Sequence, residues 1–353
     1  MDIKKYTDMI FVTGGTGLIG SHLLYKLVSE GNKVRALKRT TSNIGHVQKV
    51  FSYYGGEADM LFDKIEWVDG DMLNYFRMEK LLKGVKAVYH CAAIISFEAG
   101  DKNRMIRNNV EGTANMVNAS LENGVEKFCH VSSVSALGHN QEDLPTDESS
   151  NWIPSKRVTA YSESKFFSET EIWRGIEEGL KAVIVNPSIV LGPGNWEVGS
   201  SRFFKTIWNG LRFYPKGGTG FVDVNDVVKA MTLLMGDAHF EDCKNQRYLL
   251  NAENWSYQKL FNQIADSLHK PRPSVFVPGL VLTAAWRFAS VYNKISNNPL
   301  PITRETASSA NTFTYYDGSK IKRILDFNYL PVSESVKKTA SFLLQDLQKQ
   351  EII

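Results

Sequence analysis

MIFVTGGTGLIG, residues 9–20, runs from an apolar, β-branched segment into glycines at positions 14, 17 and 20. The apolar run predicts a strand, and the glycine spacing predicts a tight turn that opens a helix. Glycine lets the backbone approach a pyrophosphate with no Cβ in the way. The helix start then offers free N–H groups and the positive end of its dipole. Gly14, Thr16, Gly17, Leu18, Ile19 and Gly20 are therefore expected to line a bound dinucleotide. A glycine triplet alone is a weak signal, and its bland alternative is an ordinary strand-to-helix turn. Strand, turn and helix in the required order favour the functional reading.

Outward from that loop, short β-branched runs alternate with longer helical patterns. Strands are expected at 33–38, 65–69, 87–91, 127–132 and 181–186, and helices at 21–30, 104–123 and 161–178. Residues 43–63 read as a helix and a loop. This alternation predicts an α/β fold, a Rossmann-type doubly wound parallel sheet with helices on both faces. Past Pro187 the pattern turns irregular, with helices near 224–235, 257–268 and 335–350 and a strand near 247–251. The expected organisation is a nucleotide-binding domain over 1–250, carrying a substrate-facing excursion at 188–221, and a smaller substrate-binding cap over 251–353.

The end of the second strand is where such a fold meets the adenosine ribose, and an acidic residue there would accept the ribose hydroxyls of NAD. This chain has Lys38 and Arg39 followed by Thr40, Thr41 and Ser42. Two cations and three hydroxyls suit a ribose 2′-phosphate, so NADP is expected over NAD. The alternative is a solvated basic turn. Asp71 and Met72, after the third strand, are placed to meet the adenine.

Tyr161 and Lys165 stand at i and i+4, on one face of a helix. A phenol titrates near 10, and a neighbouring ammonium lowers that value, which would let Tyr161 exchange a proton with a carbonyl or alcohol oxygen. Ser133, in the VSSVS run after the fifth strand, is the candidate to hold that oxygen. A lone YxxxK is common by chance. Behind a glycine loop and a strand-end serine pair, it becomes a candidate catalytic unit of Ser133, Tyr161 and Lys165.

TGGTGLIG, HCAA (90–93), HVSS (130–133), YSESK (161–165), NPSIVLGPG (186–194) and FVDVNDV (221–227) together resemble the extended short-chain dehydrogenase/reductase superfamily, over about residues 9–230. The resemblance implies NAD(P) and a Ser-Tyr-Lys triad. It also implies that Ala92 and Ala93 line the cofactor, that Asn109 supports the site, and that Pro187 and Ser188 lie by the nicotinamide. Sugar-nucleotide 4,6-dehydratases of this superfamily carry an Asp-Glu pair after the catalytic hydroxyl residue, where this chain has Val134 and Ser135. Its sugar-nucleotide enzymes place an arginine before the FVxVxD segment, where this chain has Gly217, Gly218, Thr219 and Gly220. NPSIVLGPG and the GGTGFVDVND run look more like the dihydroflavonol-4-reductase and aldehyde-reductase branch. That implies NADPH-dependent reduction of an aldehyde or ketone, or its reverse. A nucleoside-diphosphate-sugar epimerase with bound NAD and a non-catalytic NADP-binding module are the alternatives.

Composition narrows the field further. Of 353 residues, 43% are hydrophobic, enough to bury a large core. Forty-one Lys and Arg against 38 Asp and Glu leave a net charge of +3, with no basic run to track nucleic acid. Cys91, Cys129 and Cys243 show no paired spacing, so neither a disulfide framework nor a zinc site is expected, and a reducing cytoplasm is the simplest home. His22, His90 and His130 lack metal-ligand spacing and read as packed histidines; no metal is expected. Asp223 and Asp226 read as sheet-edge or helix-cap groups. The aromatic-rich run from Trp196 to Tyr214 reads equally as core packing or as an apolar substrate pocket. The apolar segment 279–295 carries Arg287 near its middle and is too short for a membrane span. A homodimer through the helices at 104–123 and 161–178 is implied by the resemblance alone.

Overall fold

The structure is a computed structural model that describes residues 8–96, 99–138, 144–153, 158–279 and 310–351, with positions 281, 284, 286 and 307 between them. The apolar segment at 279–295, with Arg287, lies almost wholly outside the described residues. The first half alternates strand and helix: β1 (Met9–Thr13), α1 (Leu18–Ser29), β2 (Lys33–Lys38), α2 (Gly45–Ser52), α3 (Ala58–Phe62), β3 (Ile65–Asp69), α4 (Tyr75–Leu81) and β4 (Val85–His90). Then come α5 (Lys102–Ile106), a π-helical turn (Arg107–Glu111), α6 (Gly112–Glu122), β5 (Lys127–Val131), α7 (Ala160–Glu177) and β6 (Ala182–Pro187).

The remainder is more broken. It holds β7 (Ile189–Leu191), α8 (Arg202–Trp208), β8 (Phe213–Tyr214), β9 (Gly218–Asp223), α9 (Val224–Met235), α10 (Phe240–Cys243) and β10 (Gln246–Leu250). It closes with β11 (Glu253–Ser256), α11 (Tyr257–Ser267), β12 (Val275–Phe276), α12 (Ser319–Leu325) and α13 (Val332–Glu351).

Seven strands form one parallel sheet in the order β10-β6-β5-β4-β1-β2-β3. Helices cover both faces, so inner strands such as β1 and β6 read as nearly continuous apolar runs. On one face Val12, Leu23, Leu27, Val131, Val185, Val227 and Met231 share a core; on the other Phe11, Met78, Val88, Met116, Phe128 and Ile172 share a second. The chain reverses its winding between β1 and β4. A doubly wound sheet opens its ligand crevice beyond the strand ends at such a point.

A separate antiparallel and parallel sheet, β11-β9-β7, builds the third core with α8, α11 and α13. Trp196 and Phe204 pack in it, so that part of the aromatic run is core, while Phe213 stays exposed. The expected single helix at 104–123 is interrupted by the π turn. The stretch 43–63, expected as one helix and a loop, holds two short helices, α2 and α3.

Candidate active site

The glycine loop is fixed by contacts that no side chain could share. Gly14 has φ +68°, and a Cβ built on it would fall 2.5 Å from the Ala92 nitrogen. A Cβ on Gly20 would sit 2.2 Å from the Gly14 carbonyl oxygen, which also accepts from the Gly17 amide at 2.9 Å. Gly17 is exposed and its Cβ would meet only that same oxygen, at 3.3 Å. It precedes α1, and no side chain caps this helix start. The loop after β7 closes over the same helix: a Cβ on Gly194 would lie 3.0 Å from Leu18 Cδ1, and the Pro193 carbonyl meets His22 Nε2 at 2.8 Å.

Beside the loop, Ala92 donates its amide to Thr13 Oγ1 at 3.3 Å, and Thr13 Oγ1 meets His90 Nδ1 at 2.8 Å. His90 Nε2 meets Thr113 Oγ1, which donates to the Asn109 carbonyl at 2.6 Å. Asn109, buried on the π turn, clamps the strand-end segment 92–94: its Oδ1 accepts from the Ile94 amide at 2.7 Å and its Nδ2 donates to the Ile94 carbonyl at 2.9 Å. Nδ2 also reaches Ser164 Oγ, which donates to the Tyr161 carbonyl. One buried polar chain thus runs from the strand before the glycine loop to the first turn of α7.

Ser133 is buried at the end of β5, where its Oγ accepts from the Ser135 amide at 3.1 Å. Tyr161 stands in the first turn of α7, which Thr159 caps by accepting from the Ser162 amide at 3.0 Å. Burial pushes the Tyr161 phenol up, and a hydrogen bond from Ser133 pulls against it; the net displacement is upward. The expected lowering by a neighbouring ammonium is therefore not what this geometry gives. Lys165 Nζ donates instead to the Val131 carbonyl at 2.9 Å. Burial brings the Lys165 ammonium down to about 8, against the charges of Cys91 and Glu169.

At the end of β2 the two cations differ in their surroundings. Lys38 Nζ pairs with Asp69 Oδ1 at 2.6 Å across β2 and β3, so its charge is already matched. Arg39 is exposed, and its amide donates to Ser42 Oγ at 3.2 Å. Asp71 Oδ1 turns back to the Leu73 amide. Met72 packs on α6, its carbonyl accepting from Asn115 Nδ2 and its side chain 3.2 Å from where a Gly112 Cβ would be. At the far side Pro187 ends β6. Ser188, 6% exposed, ties its amide to the Leu250 carbonyl but leaves its Oγ with no partner.

A dinucleotide fits these residues. Gly14 and Gly20 let the loop fold tightly on itself, the exposed Gly17 leaves the uncapped start of α1 open to a pyrophosphate, and the buried Ser188 hydroxyl has no hydrogen-bond partner. Among the described residues no cluster of three His, Cys, Asp or Glu could hold a metal. No described helix is long and apolar enough to cross a membrane.

Several residues beneath the site were not singled out by sequence reasoning. Glu169, one turn beyond Lys165, is 3% exposed and accepts from Ser132, Asn186, Trp173 and Arg247. Its position continued the inward spacing of Tyr161 and Lys165, a usable signal. Arg247 lies on β10, about eighty residues away, and carried none. His130 stacks on His90 with centroids 5.2 Å apart, and neither of its ring nitrogens finds a partner.

The fold and this site define a class: enzymes that use a nicotinamide dinucleotide on CH–OH or carbonyl groups. The chain belongs to the NAD-dependent epimerase/dehydratase family, which it matches over residues 10–246. It is 31% identical over 318 residues to a protein of Synechocystis that carries a provisional dihydroflavonol 4-reductase name, covering 89% of this chain and 88% of that one. The solved structure of gox2253 is 28% identical, with a TM-score of 0.77 over 96% of this chain and 98% of its own. UDP-glucose 4-epimerase of Thermotoga maritima shares the fold at 21% identity, with a TM-score of 0.75 over 96% of this chain and 99% of its own.

Proposed function

We propose that this protein reduces an aldehyde or ketone to an alcohol at the expense of NADPH. The observation that carries the reading is the hydrogen bond between Ser133 and the Tyr161 phenol, one helical turn from Lys165. When bound, the nicotinamide supplies the hydride to the carbonyl carbon. Gly14, Thr16, Gly17, Leu18, Ile19 and Gly20 hold the pyrophosphate; Ala92, Ala93, Asn109, Pro187 and Ser188 shape the nicotinamide end; Asp71 and Met72 meet the adenine. Ser133 donates to the substrate oxygen, and Tyr161 gives it a proton. A phenol held above its ordinary value keeps that proton at neutral pH, the form that reduction requires. Lys165 binds the nicotinamide ribose hydroxyls and neutralises the phenolate as it forms.

NADP is favoured because Arg39 is exposed at the ribose end, with hydroxyls at Thr40, Thr41 and Ser42 beside it. Sugar-nucleotide chemistry is disfavoured by what precedes Phe221. A Cβ on Gly218 would fall 2.5 Å from the Trp255 carbonyl oxygen, and one on Gly220 would fall 2.2 Å from Asn251 Oδ1. Backbone and buried amide fill the place where a diphosphate-gripping arginine would stand. Three free thiols suit a reducing cytoplasm, and the outer faces of α6 and α7 are the proposed homodimer contact.

The test is NADPH oxidation over a panel of aldehydes and ketones, with wild type and Tyr161→Phe. Wild type should turn over at least one carbonyl, and the variant should lose about 10²–10⁴-fold in kcat with NADPH affinity within about twofold. Purified protein carrying bound NAD and consuming no NADPH would point to epimerisation. Unchanged NADPH binding with no turnover in either protein would point to a binding module.

A further inference from the structure

We infer that Glu169 is the positioning residue for Ser133, an inference that rests on the reductase reading of this site. The carboxylate sits on α7 one turn beyond Lys165, where a residue serving only to pack would be apolar. Burying an ion is costly unless its oxygens are fully engaged, and these are. Oε2 accepts from Ser132 Oγ at 2.7 Å and from Asn186 Nδ2 at 2.7 Å. Oε1 accepts from Arg247 Nη1 at 3.2 Å and Trp173 Nε1 at 3.3 Å.

The consequence falls on Ser133. Asn186 Nδ2 also donates to the Ser133 carbonyl at 3.1 Å. Glu169 therefore grips the residue before Ser133 through a hydroxyl, and Ser133's own carbonyl through the Asn186 amide. The backbone that carries Ser133 Oγ toward Tyr161 is held from both sides by one carboxylate, and that carboxylate belongs to the same helix as Tyr161 and Lys165. Arg247 supplies the counter-charge from β10. Its other nitrogens donate to the Glu148 and Ser150 carbonyls, tying the chain between β5 and α7 to the same anchor. Ser133, Tyr161 and Lys165 are thus set in register by a group that touches neither substrate nor cofactor.

A purely structural carboxylate and a positioning one predict different kinetics. Misplacing a catalytic oxygen by about 1 Å can cost about 10²-fold in rate. Glu169→Gln keeps the length and one acceptor oxygen, whereas Glu169→Leu removes both. With NADPH and a carbonyl from the panel, kcat should fall in the order wild type, Gln, Leu, by about 10-fold and about 100-fold. The NADPH Kd should stay within about twofold, since no cradle residue is touched. Ser132→Ala removes one donor, leaves the charge in place and serves if the Glu169 variants fail to fold; it should lower kcat several-fold with the same Kd. Combined with Glu169→Gln it should add little, because both act through one contact. Parallel losses of kcat and NADPH affinity, or unchanged kcat in folded Gln and Ser132→Ala proteins, would overturn the inference.

The ¹³Cζ resonance of Tyr161, assigned by its loss in Tyr161→Phe, gives a readout that needs no turnover. It should move in Glu169→Gln, or in Ser132→Ala if that protein alone folds, toward its position in Ser133→Ala. A resonance that stays at the wild-type position sinks the inference. Failure of the reductase reading would show separately, as wild type that reduces no carbonyl.

Discussion

Gly14 and Gly17 stand three residues apart in one loop and are constrained for different reasons. Gly14 is needed by the fold: its φ of +68° disfavours a side chain, and a Cβ would strike the Ala92 backbone at 2.5 Å. Gly14→Ala should therefore destabilise the protein by on the order of 2–4 kcal/mol, read as a lower urea midpoint. Gly17 has φ −86°, which alanine adopts freely, and its Cβ would touch only the Gly14 oxygen, at 3.3 Å. Its lack of a side chain matters to what approaches the helix start. Gly17→Ala should leave the urea midpoint close to wild type while weakening NADPH binding at least about tenfold, the cost of displacing about one charge-assisted phosphate contact. Equal effects of the two substitutions on stability would refute that division. At the other end of the crevice, Arg39 is the exposed cation, since Lys38 is matched by Asp69. Arg39→Ala should raise the Kd for NADPH about tenfold and leave that for NADH within about twofold. Isothermal titration of both nucleotides reads this directly, and an equal loss for both would mean that Arg39 reads no 2′-phosphate.

Among the elements, the π turn Arg107–Glu111 is where the helical run from Lys102 to Glu122 gives up regularity for a contact. The wider turn delivers Asn109 into the interior, where its amide satisfies both backbone groups of Ile94. Asn109→Ala should cost about 1–2 kcal/mol, because it leaves the half-buried Ile94 N–H and carbonyl without their partner. It should also weaken NADPH binding, since the segment Ala92–Ala93 hangs from that clamp. Urea unfolding and fluorescence titration check the two, and a change in stability without a change in affinity would separate the clamp from the cofactor. This turn also shows where sequence reading stops. The central parallel strands were legible because both faces are buried, which forces apolar, β-branched runs such as those at 9–13 and 181–186. The π turn was not, because its apolar spacing continues that of the helices around it. The small sheet β11-β9-β7 was missed because its strands are three to six residues long, and its order comes from partners distant in sequence. The motif residues at 14–20, 133, 161 and 165 were legible because local chemistry dictates their spacing. Asn186 and Arg247 meet Glu169 only once the sheet is assembled.

The whole molecule is organised around a wide parallel sheet whose centre holds imidazoles in place of hydrocarbon. His90 and His130 face each other across β4 and β5, and His22 is buried on α1. Burial drives His22 down to about 4 and His90 down to about 3, and holds His130 well below its ordinary value. Each stays neutral in the fold while the unfolded chain takes up a proton near 6.5. The stabilisation is thus complete above about pH 6.5 and is lost as pH falls toward the folded values, about 2 kcal/mol for each of His22 and His90 between pH 7 and pH 5. Asp226 works the other way. Burial raises it to about 6, so its contribution is present at low pH and lost as pH rises through about 6, offsetting part of the slope. His130 is the sharpest probe, because neither nitrogen has a partner to lose. Replacing it by an apolar group of similar size removes an unsatisfied polar ring without breaking a hydrogen bond. His130→Leu should therefore be neutral or stabilising at pH 7, and its stability should fall less than that of wild type between pH 7 and pH 5. Urea midpoints across that range measure the difference. A slope equal to that of wild type would show that His130 does not enter the fold as a buried neutral ring.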